Sequence, residues 1–118
     1  MDFHLSEFLC KCGCGGGARV IAPQLLLRLQ RVHNDWGKPM IVDCGYRCAT
    51  HNTAVGGAPN SAHLTGEAAD IADADGALKA WLSEEMLAGY GLWAEEYSAC
   101  KTWVHLQIRP ARNRIFIP

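Results

Sequence analysis

The sequence predicts an α+β domain, because two segments carry the apolar periodicity of helices and five shorter segments read as strands. In the first helical segment Leu25, Leu29, Val32 and Trp36 recur at steps of four, three and four residues. At 118 residues and 49% hydrophobic composition, the chain has the size of one globular domain, which we take to span residues 1–118.

The first helix has clear boundaries. Pro23 suits the first helical position, where its missing N–H would be unpaired in any case. Gly37 and Pro39 then stop the helix. Met40-Ile41-Val42 is apolar and rich in β-branched residues, which predicts a short buried strand directly afterwards.

A long connection from residue 43 to residue 62 has no periodicity of its own and is rich in Gly, Pro and Asn. Long loops within compact domains are usually functional. This one carries Arg47. An arginine in an arbitrary loop is most often a solvated surface residue, but Arg47 lies where a cleft is expected, and we favour a role at its mouth.

The second half of the chain alternates strands with one helix. Ala68 to Ala72 predict a strand with Asp70 on one face, and Asp73 or Asp75 can cap a helix that ends at Gly89. The apolar stripe of that helix is Leu78, Trp81, Leu82 and Met86. The remaining strand segments are Gly91-Leu92-Trp93, residues 103–108 and Ile115-Phe116-Ile117, with an acidic loop holding Glu95 and Glu96 after the first of them.

Two potential metal ligands lie close together in the sequence. His63 and Asp70 are seven residues apart on either side of Gly66, in a segment of mostly small residues. A catalytic zinc ion needs three protein ligands and one open position, so a third ligand must come from elsewhere. His105 is the candidate, because strand alternation places it opposite the apolar Val104, Leu106 and Ile108, with Trp103 and Gln107. A histidine packed in the core is the plainer alternative.

Charge and segment lengths exclude several classes of partner. The formal net charge is -1, with 11 basic and 12 acidic residues, so neither nucleic acid nor an anionic membrane is an expected partner. We find no signal-peptide pattern and no apolar run of membrane-spanning length. We therefore expect a soluble monomer, which would need a route other than a Sec-type signal to act outside the cytoplasm.

Six cysteines are present, at a density below that of a disulfide scaffold. Cys10, Cys12 and Cys14 alternate, which in an extended segment would place three thiols on one face. This pattern suggests a second metal site, although structural zinc sites usually have two to four residues between paired cysteines. Small half-buried thiols are the alternative, and the sequence does not decide the redox state of Cys44, Cys48 and Cys100. A redox protein is disfavoured because the chain has no C-x-x-C motif.

The motif Ser61-x-His63-x-x-Gly66-x-Ala68-x-Asp70, with the later Trp103-Val104-His105-Leu106, resembles a family of zinc metallopeptidases. This is the LAS type, which includes D-Ala-D-Ala carboxypeptidases and dipeptidases and shares its fold with the N-terminal signalling domain of hedgehog proteins. Further segments resemble the small bacteriophage-type cell-wall peptidases: Gly45-Tyr46-Arg47, His51-Asn52, Val55-Gly56-Gly57-Ala58 and Leu5-Ser6-Glu7-Phe8.

The resemblance implies a small, mainly antiparallel sheet that carries the metal ligands and is flanked by two helices. It implies one Zn²⁺ ion held by His63, Asp70 and His105. Arg47 would bind the substrate carboxylate or the oxyanion, and Ser61 would orient the substrate.

The general base is a departure from the family pattern. In many relatives it lies three residues before the last histidine, where this chain has Thr102, which cannot serve. Glu95 and Glu96 are the nearest upstream carboxylates, and Glu95 is preferred because Leu92-Trp93-Ala94-Glu95 resembles a segment of phage-type members.

The expected function is hydrolysis of a D-Ala-D-Ala or L-Ala-D-Glu bond in peptidoglycan stem peptides, with a phage or prophage lysin or a virion-associated peptidase as the preferred setting. The alternative is a non-catalytic zinc-binding interaction module of the hedgehog-domain type.

Overall fold

The computed structural model describes residues 3–100 and 102–118, which form a five-stranded sheet and four α-helices. The strands are β1 (Val42–Cys44), β2 (Ala68–Ala72), β3 (Trp93–Glu95), β4 (Trp103–Gln107) and β5 (Ile115–Phe116). The helices are α1 (Pro23–Trp36), α2 (Ala49–Ala54), α3 (Ala77–Trp81) and α4 (Glu84–Tyr90), and three 3-10 turns cover Leu5–Phe8, Ala62–Thr65 and Tyr97–Ala99. The predicted α+β class is confirmed.

The strand order across the sheet is β1-β2-β4-β3-β5. Every neighbouring pair is antiparallel except β3 and β5, which run parallel, so the sheet is mainly antiparallel as predicted. In the register of β2 with β4, Asp70 lies directly opposite His105. The two central strands therefore bring a carboxylate and an imidazole together although 35 residues separate them in the chain.

The two faces of the central strands have different roles. Ala69 and Ile71 of β2, and Val104 and Leu106 of β4, are fully buried and pack into one core with the helices. The helical side of this core includes Leu25, Leu29, Val32, Leu78, Leu82 and Leu87. Because side chains alternate along a strand, Asp70 and His105 lie on the other face. Helices α1, α3 and α4 thus pack on the face of the sheet opposite Asp70 and His105.

The second predicted helix is divided into α3 and α4. Leu82 and Ser83 separate them, and the Ser83 hydroxyl accepts a hydrogen bond from the Met86 amide at 3.1 Å, which begins a new helix. Helix α4 continues past Gly89 to Tyr90 and is capped by Gly91, so the predicted stop was wrong. Asp73 or Asp75 was predicted to cap this helix, and both carboxylates bond to its first turn: Asp73 accepts from the amides of Leu78 and Lys79, and Asp75 accepts from the amide of Ala77. The N-cap position itself is Gly76.

Other boundaries differ by a few residues. The connection from residue 43 to residue 62 is not wholly irregular, because it contains α2, which begins after Cys48. Strand β1 begins at Val42, and Ile41 is 65% exposed rather than buried, although its carbonyl still accepts from the Ala72 amide. β3 begins at Trp93, because Gly91 ends α4 instead of opening the strand. Within the described residues, no helix has the length and apolar character needed to cross a bilayer.

Candidate active site

His63 is held in a tight turn. The Ser61 hydroxyl accepts from the His63 amide at 3.2 Å and so caps the 3-10 turn, which ends at Gly66 with a φ of 70°. A Cβ on Gly66 would lie 2.2 Å from the carbonyl oxygen of Val20, so only glycine fits. The His63 ring is buried, and its Nδ1 donates to the carbonyl oxygen of Gly45 at 2.7 Å. This bond leaves Nε2 as the nitrogen with a free lone pair.

His105 is oriented by Gln107, two residues further along β4. The Gln107 side-chain amide donates to the carbonyl oxygen of Arg109 at 2.8 Å, so its own oxygen, Oε1, faces His105. That oxygen accepts from His105 Nε2 at 2.7 Å. The proton of a neutral His105 therefore lies on Nε2, and Nδ1 is left with a free lone pair.

Both free nitrogens face one carboxylate oxygen. Asp70 Oδ1 lies 3.3 Å from His63 Nε2 and 3.0 Å from His105 Nδ1. With neutral imidazoles these three atoms are all acceptors, an arrangement that is repulsive unless a cation lies between them. Ligand atoms at about 2.0–2.1 Å from a tetrahedral zinc are separated by about 3.3 Å. The donor types and the two distances to Asp70 are compatible with zinc, and each histidine has the outer hydrogen bond typical of zinc ligands.

The pKa shifts of Asp70 and His105 both favour a positive charge between the two side chains. Burial acts to raise the pKa of Asp70, but the hydrogen bonds from His105 and His63 outweigh it and hold that pKa well below its usual range. Burial acts to lower the pKa of His105, and the bond to Asp70 reverses this, so the net direction is upward.

A thiol also borders this cluster. The Cys44 sulfur lies within 4.8 Å of ligand atoms of His63 and Asp70. Its contact, however, is with His63 Nδ1 at 3.7 Å, the nitrogen already bonded to Gly45. Burial, with a smaller contribution from Asp70, raises the pKa of Cys44 to about 11. His105, whose Nδ1 lies 3.0 Å from Asp70 Oδ1, stays the predicted third ligand.

A cavity of about 500 Å³ opens onto the three candidate ligands. Glu95 lines it, and Glu95 Oε2 lies 3.8 Å from His105 Nδ1. Cys100, a buried thiol, donates to the other oxygen of Glu95 at 3.5 Å. Glu96 is exposed and is not among the residues that line the cavity, and Thr102 is likewise exposed and outside it. Of the two carboxylates predicted from sequence, the fold brings Glu95 to the ligands.

Arg47 and Ser61 form part of the cavity wall. Arg47 Nη2 donates to the Ser61 hydroxyl at 3.3 Å, and the Arg47 amide donates to the His63 carbonyl. The Nε–H of Arg47 is buried and has no partner among the described residues. A buried unpaired donor costs about 1–3 kcal/mol. An anionic ligand in the cavity is a suitable partner for such a guanidinium.

Two parts of the cavity were not identified from the sequence as functional. Gln107 was placed on the His105 face by alternation, but its role as the acceptor for His105 was not predicted. Arg109 lines the cavity and forms an ion pair with Glu67 at 3.0 Å. No periodicity marks Arg109, because it follows the end of β4.

Two comparisons with known proteins bear on the family of this chain. The family model described as Peptidase M15 matches residues 1–107. A segment of 55 residues is 44% identical to the zinc D-Ala-D-Ala carboxypeptidase of Streptomyces albus G. This match covers 46% of the present chain and 22% of that protein, so the chain spans only a small part of the relative's length.

Proposed function

The chain belongs to the peptidase M15 family, and we propose from this that it is a zinc peptidase acting on the stem peptides of peptidoglycan. The observation that carries the proposal is the convergence of His63 Nε2, Asp70 Oδ1 and His105 Nδ1 beside an open cavity. The substrate class is supported by the name of the Streptomyces albus G relative.

His63, Asp70 and His105 would hold one Zn²⁺ ion. Bound zinc supplies Lewis-acid polarisation of the scissile carbonyl and lowers the pKa of a coordinated water. The chain's contribution is to fix the donors before the ion arrives: Gly45 holds the His63 ring, Gln107 holds the His105 ring, and the β2–β4 register holds Asp70 between them.

Glu95 is the general base in this proposal. It is half-buried, lines the cavity and lies beside His105, so its carboxylate can accept a proton from the attacking water and return it to the leaving amine. The strand position of Glu95 replaces the family position occupied here by Thr102. Glu96, exposed and outside the cavity, has no part in the chemistry.

Arg47 binds the anionic end of the substrate, and Ser61 holds the guanidinium in place through its hydroxyl. A terminal carboxylate would satisfy the buried Nε–H that otherwise has no partner among the described residues. Recognition of a free carboxylate favours carboxypeptidase action, so we propose the D-Ala-D-Ala bond ahead of L-Ala-D-Glu. The likeness of residues 45–58 to bacteriophage cell-wall peptidases supports a phage or prophage lysin as the setting.

The test is hydrolysis by the zinc-loaded protein of two muropeptides, one ending in D-Ala-D-Ala and one containing L-Ala-D-Glu. Mass spectrometry identifies the bond that is cut. We expect Glu95→Gln to lower kcat by about 10²–10⁴-fold, the usual contribution of a general base, with the zinc content unchanged. Glu96→Gln is the matched control and should cleave like the parent.

Two outcomes would contradict the proposal. If Glu95→Gln cleaves as fast as the parent, Glu95 is not the base. If the zinc-loaded parent cleaves neither muropeptide nor intact cell walls, the non-catalytic zinc-binding module becomes the better description.

A further inference from the structure

Four cysteine sulfurs converge on the side of the molecule that the N-terminal segment covers. Cys10, Cys12 and Cys14 come from that segment, and Cys48 comes from the start of α2. All four sulfurs lie within 4.8 Å of one another. We propose that these four thiolates bind a second, structural metal ion of the soft divalent class, of which zinc is the first choice.

The sulfur spacing suits a tetrahedral ion. Cys10 Sγ lies 3.3 Å from Cys12 Sγ and 3.8 Å from Cys48 Sγ, and Cys12 Sγ lies 3.7 Å from Cys48 Sγ. Sulfurs at about 2.3 Å from a tetrahedral zinc are separated by about 3.8 Å. A closed set of four thiolates leaves no open position, which is the mark of a structural rather than a catalytic site.

Backbone amides point at the same sulfurs. The Cys48 amide donates to Cys10 Sγ at 3.4 Å, the His51 amide donates to Cys48 Sγ at 3.4 Å, and the Gly16 amide donates to Cys14 Sγ at 3.3 Å. Such outer hydrogen bonds stabilise the negative charge of thiolate ligands and fix their orientation. Three of the four sulfurs are therefore held in place by the backbone.

The turn that carries the cysteines is not the extended segment expected from the alternation. Residues 11–14 form a turn, and Gly13 and Gly15 take positive φ values of 87° and 71°. This backbone folds the three sulfurs towards Cys48. The ligand spacing therefore departs from the usual paired pattern, because the fourth ligand comes from α2 and not from a neighbouring turn.

The ion would link the N-terminal segment to the part of the chain that carries Gly45 and Arg47. Cys48 directly follows Arg47, and the Tyr46 amide donates to the Phe8 carbonyl at 2.8 Å. Gly45, whose carbonyl holds the His63 ring, packs against Phe8. A metal-mediated link between Cys14 and Cys48 would close a long loop of the chain. Closing a longer loop gives a larger entropic stabilisation of the folded state.

Metal counting on the full chain tests the site independently of the peptidase proposal. The protein is purified without chelator under reducing conditions, and its metals are measured by inductively coupled plasma mass spectrometry. We expect two ions per chain in the parent and one in His63→Ala/Asp70→Ala. We also expect one in Cys12→Ser/Cys14→Ser, a pair of exposed positions where substitution opens no core cavity. Cys100→Ser, a thiol outside the cluster, is the control and should retain two.

Cobalt substitution identifies the ligands and does not depend on the serine variants folding. Cobalt-loaded parent and His63→Ala/Asp70→Ala should both show the intense thiolate-to-cobalt charge-transfer absorption. Absence of this absorption from the reconstituted parent would overturn the proposal. So would disulfides among the four cysteines in the reduced preparation, found as a mass deficit, or two ions in a folded Cys12→Ser/Cys14→Ser protein.

Discussion

The two candidate metal-binding clusters differ in the structure that presents their ligands. The sheet cluster takes Asp70 and His105 from paired strands, whose register and alternation fix both side chains, and only His63 from a turn. The cysteine cluster takes its ligands from the irregular N-terminal segment and from Cys48, the N-cap of α2. Ligands on strands are readable from periodicity, whereas ligands on loops depend on backbone conformations that periodicity does not encode.

The clusters also differ in chemistry and access. The sheet cluster offers two nitrogens and one oxygen at the wall of a 500 Å³ cavity, with Glu95 beside them. The cysteine cluster offers four sulfurs and no open position. A three-ligand nitrogen and oxygen site beside a cavity suits catalysis, and a closed four-sulfur site suits structural support. In our proposals the ion of the sheet cluster acts in catalysis. The ion of the cysteine cluster fixes the N-terminal segment, which packs beside the residues that hold the first ion.

Gly45 lies where the two regions meet, and its replacement should have the largest effect. A Cβ there would lie 2.6 Å from the Cα of Phe8, a backbone contact that no rotamer change relieves. We expect Gly45→Ala to destabilise the protein by about 3 kcal/mol or more and to weaken zinc binding at His63. Urea unfolding and zinc titration measure the two effects.

Gly89→Ala is the control for that substitution. A Cβ at Gly89, within α4, meets nothing within 4 Å, so alanine there should be neutral or stabilising by up to about 1 kcal/mol. Equal stability of the two variants would show that the N-terminal segment does not brace the catalytic cluster.

The sequence predicted the positions of Asp70 and His105 in the sheet better than those of the carboxylates nearby. Strand β2 was predicted with its observed bounds, and alternation placed His105 on the face opposite Val104 and Leu106. The choice of Glu95 over Glu96 came from a resemblance, because both precede the same turn and only the fold shows which side chain enters the cavity.

Two features escaped prediction for different reasons. Ser83 divides the second helix by offering a cap that competes with the continuing apolar stripe of Leu82 and Met86. Cys48 joins the N-terminal cysteines through a contact between residues 38 positions apart. The Ser83 cap is a local signal that the apolar stripe obscured, whereas neither local propensity nor spacing encodes the contact of Cys48.

Substitution of Gln107 distinguishes the two clusters, because it should change metal binding at the sheet cluster alone. Its Oε1 accepts from His105 Nε2 and so directs the lone pair of Nδ1 towards Asp70. We expect Gln107→Met, which removes the acceptor at similar size, to weaken binding of the sheet-site ion by about 10–100-fold.

Gln107→Glu, which keeps an acceptor oxygen, is the matched control and should bind more tightly than Gln107→Met. Competition with a chromogenic chelator measures the affinity. Release of the thiolate-bound ion should be the same in parent and variants, and a parallel loss of both ions would mean that the clusters are not separable.

Substitution of Ser61 should have the smallest effect of these variants. It tests whether this part of the cavity wall contributes to substrate binding or only to the stability of the fold. Its hydroxyl accepts from the His63 amide and from Arg47, so Ser61→Ala removes a turn cap and a guanidinium contact together. Loss of the cap should cost about 1 kcal/mol of stability, and release of Arg47 should raise KM for a carboxylate-ended muropeptide several-fold with kcat little changed. Ser61→Thr keeps the hydroxyl and should restore KM. A fall in kcat with KM unchanged would instead place Ser61 in the chemistry, because an interaction made only in the transition state lowers kcat.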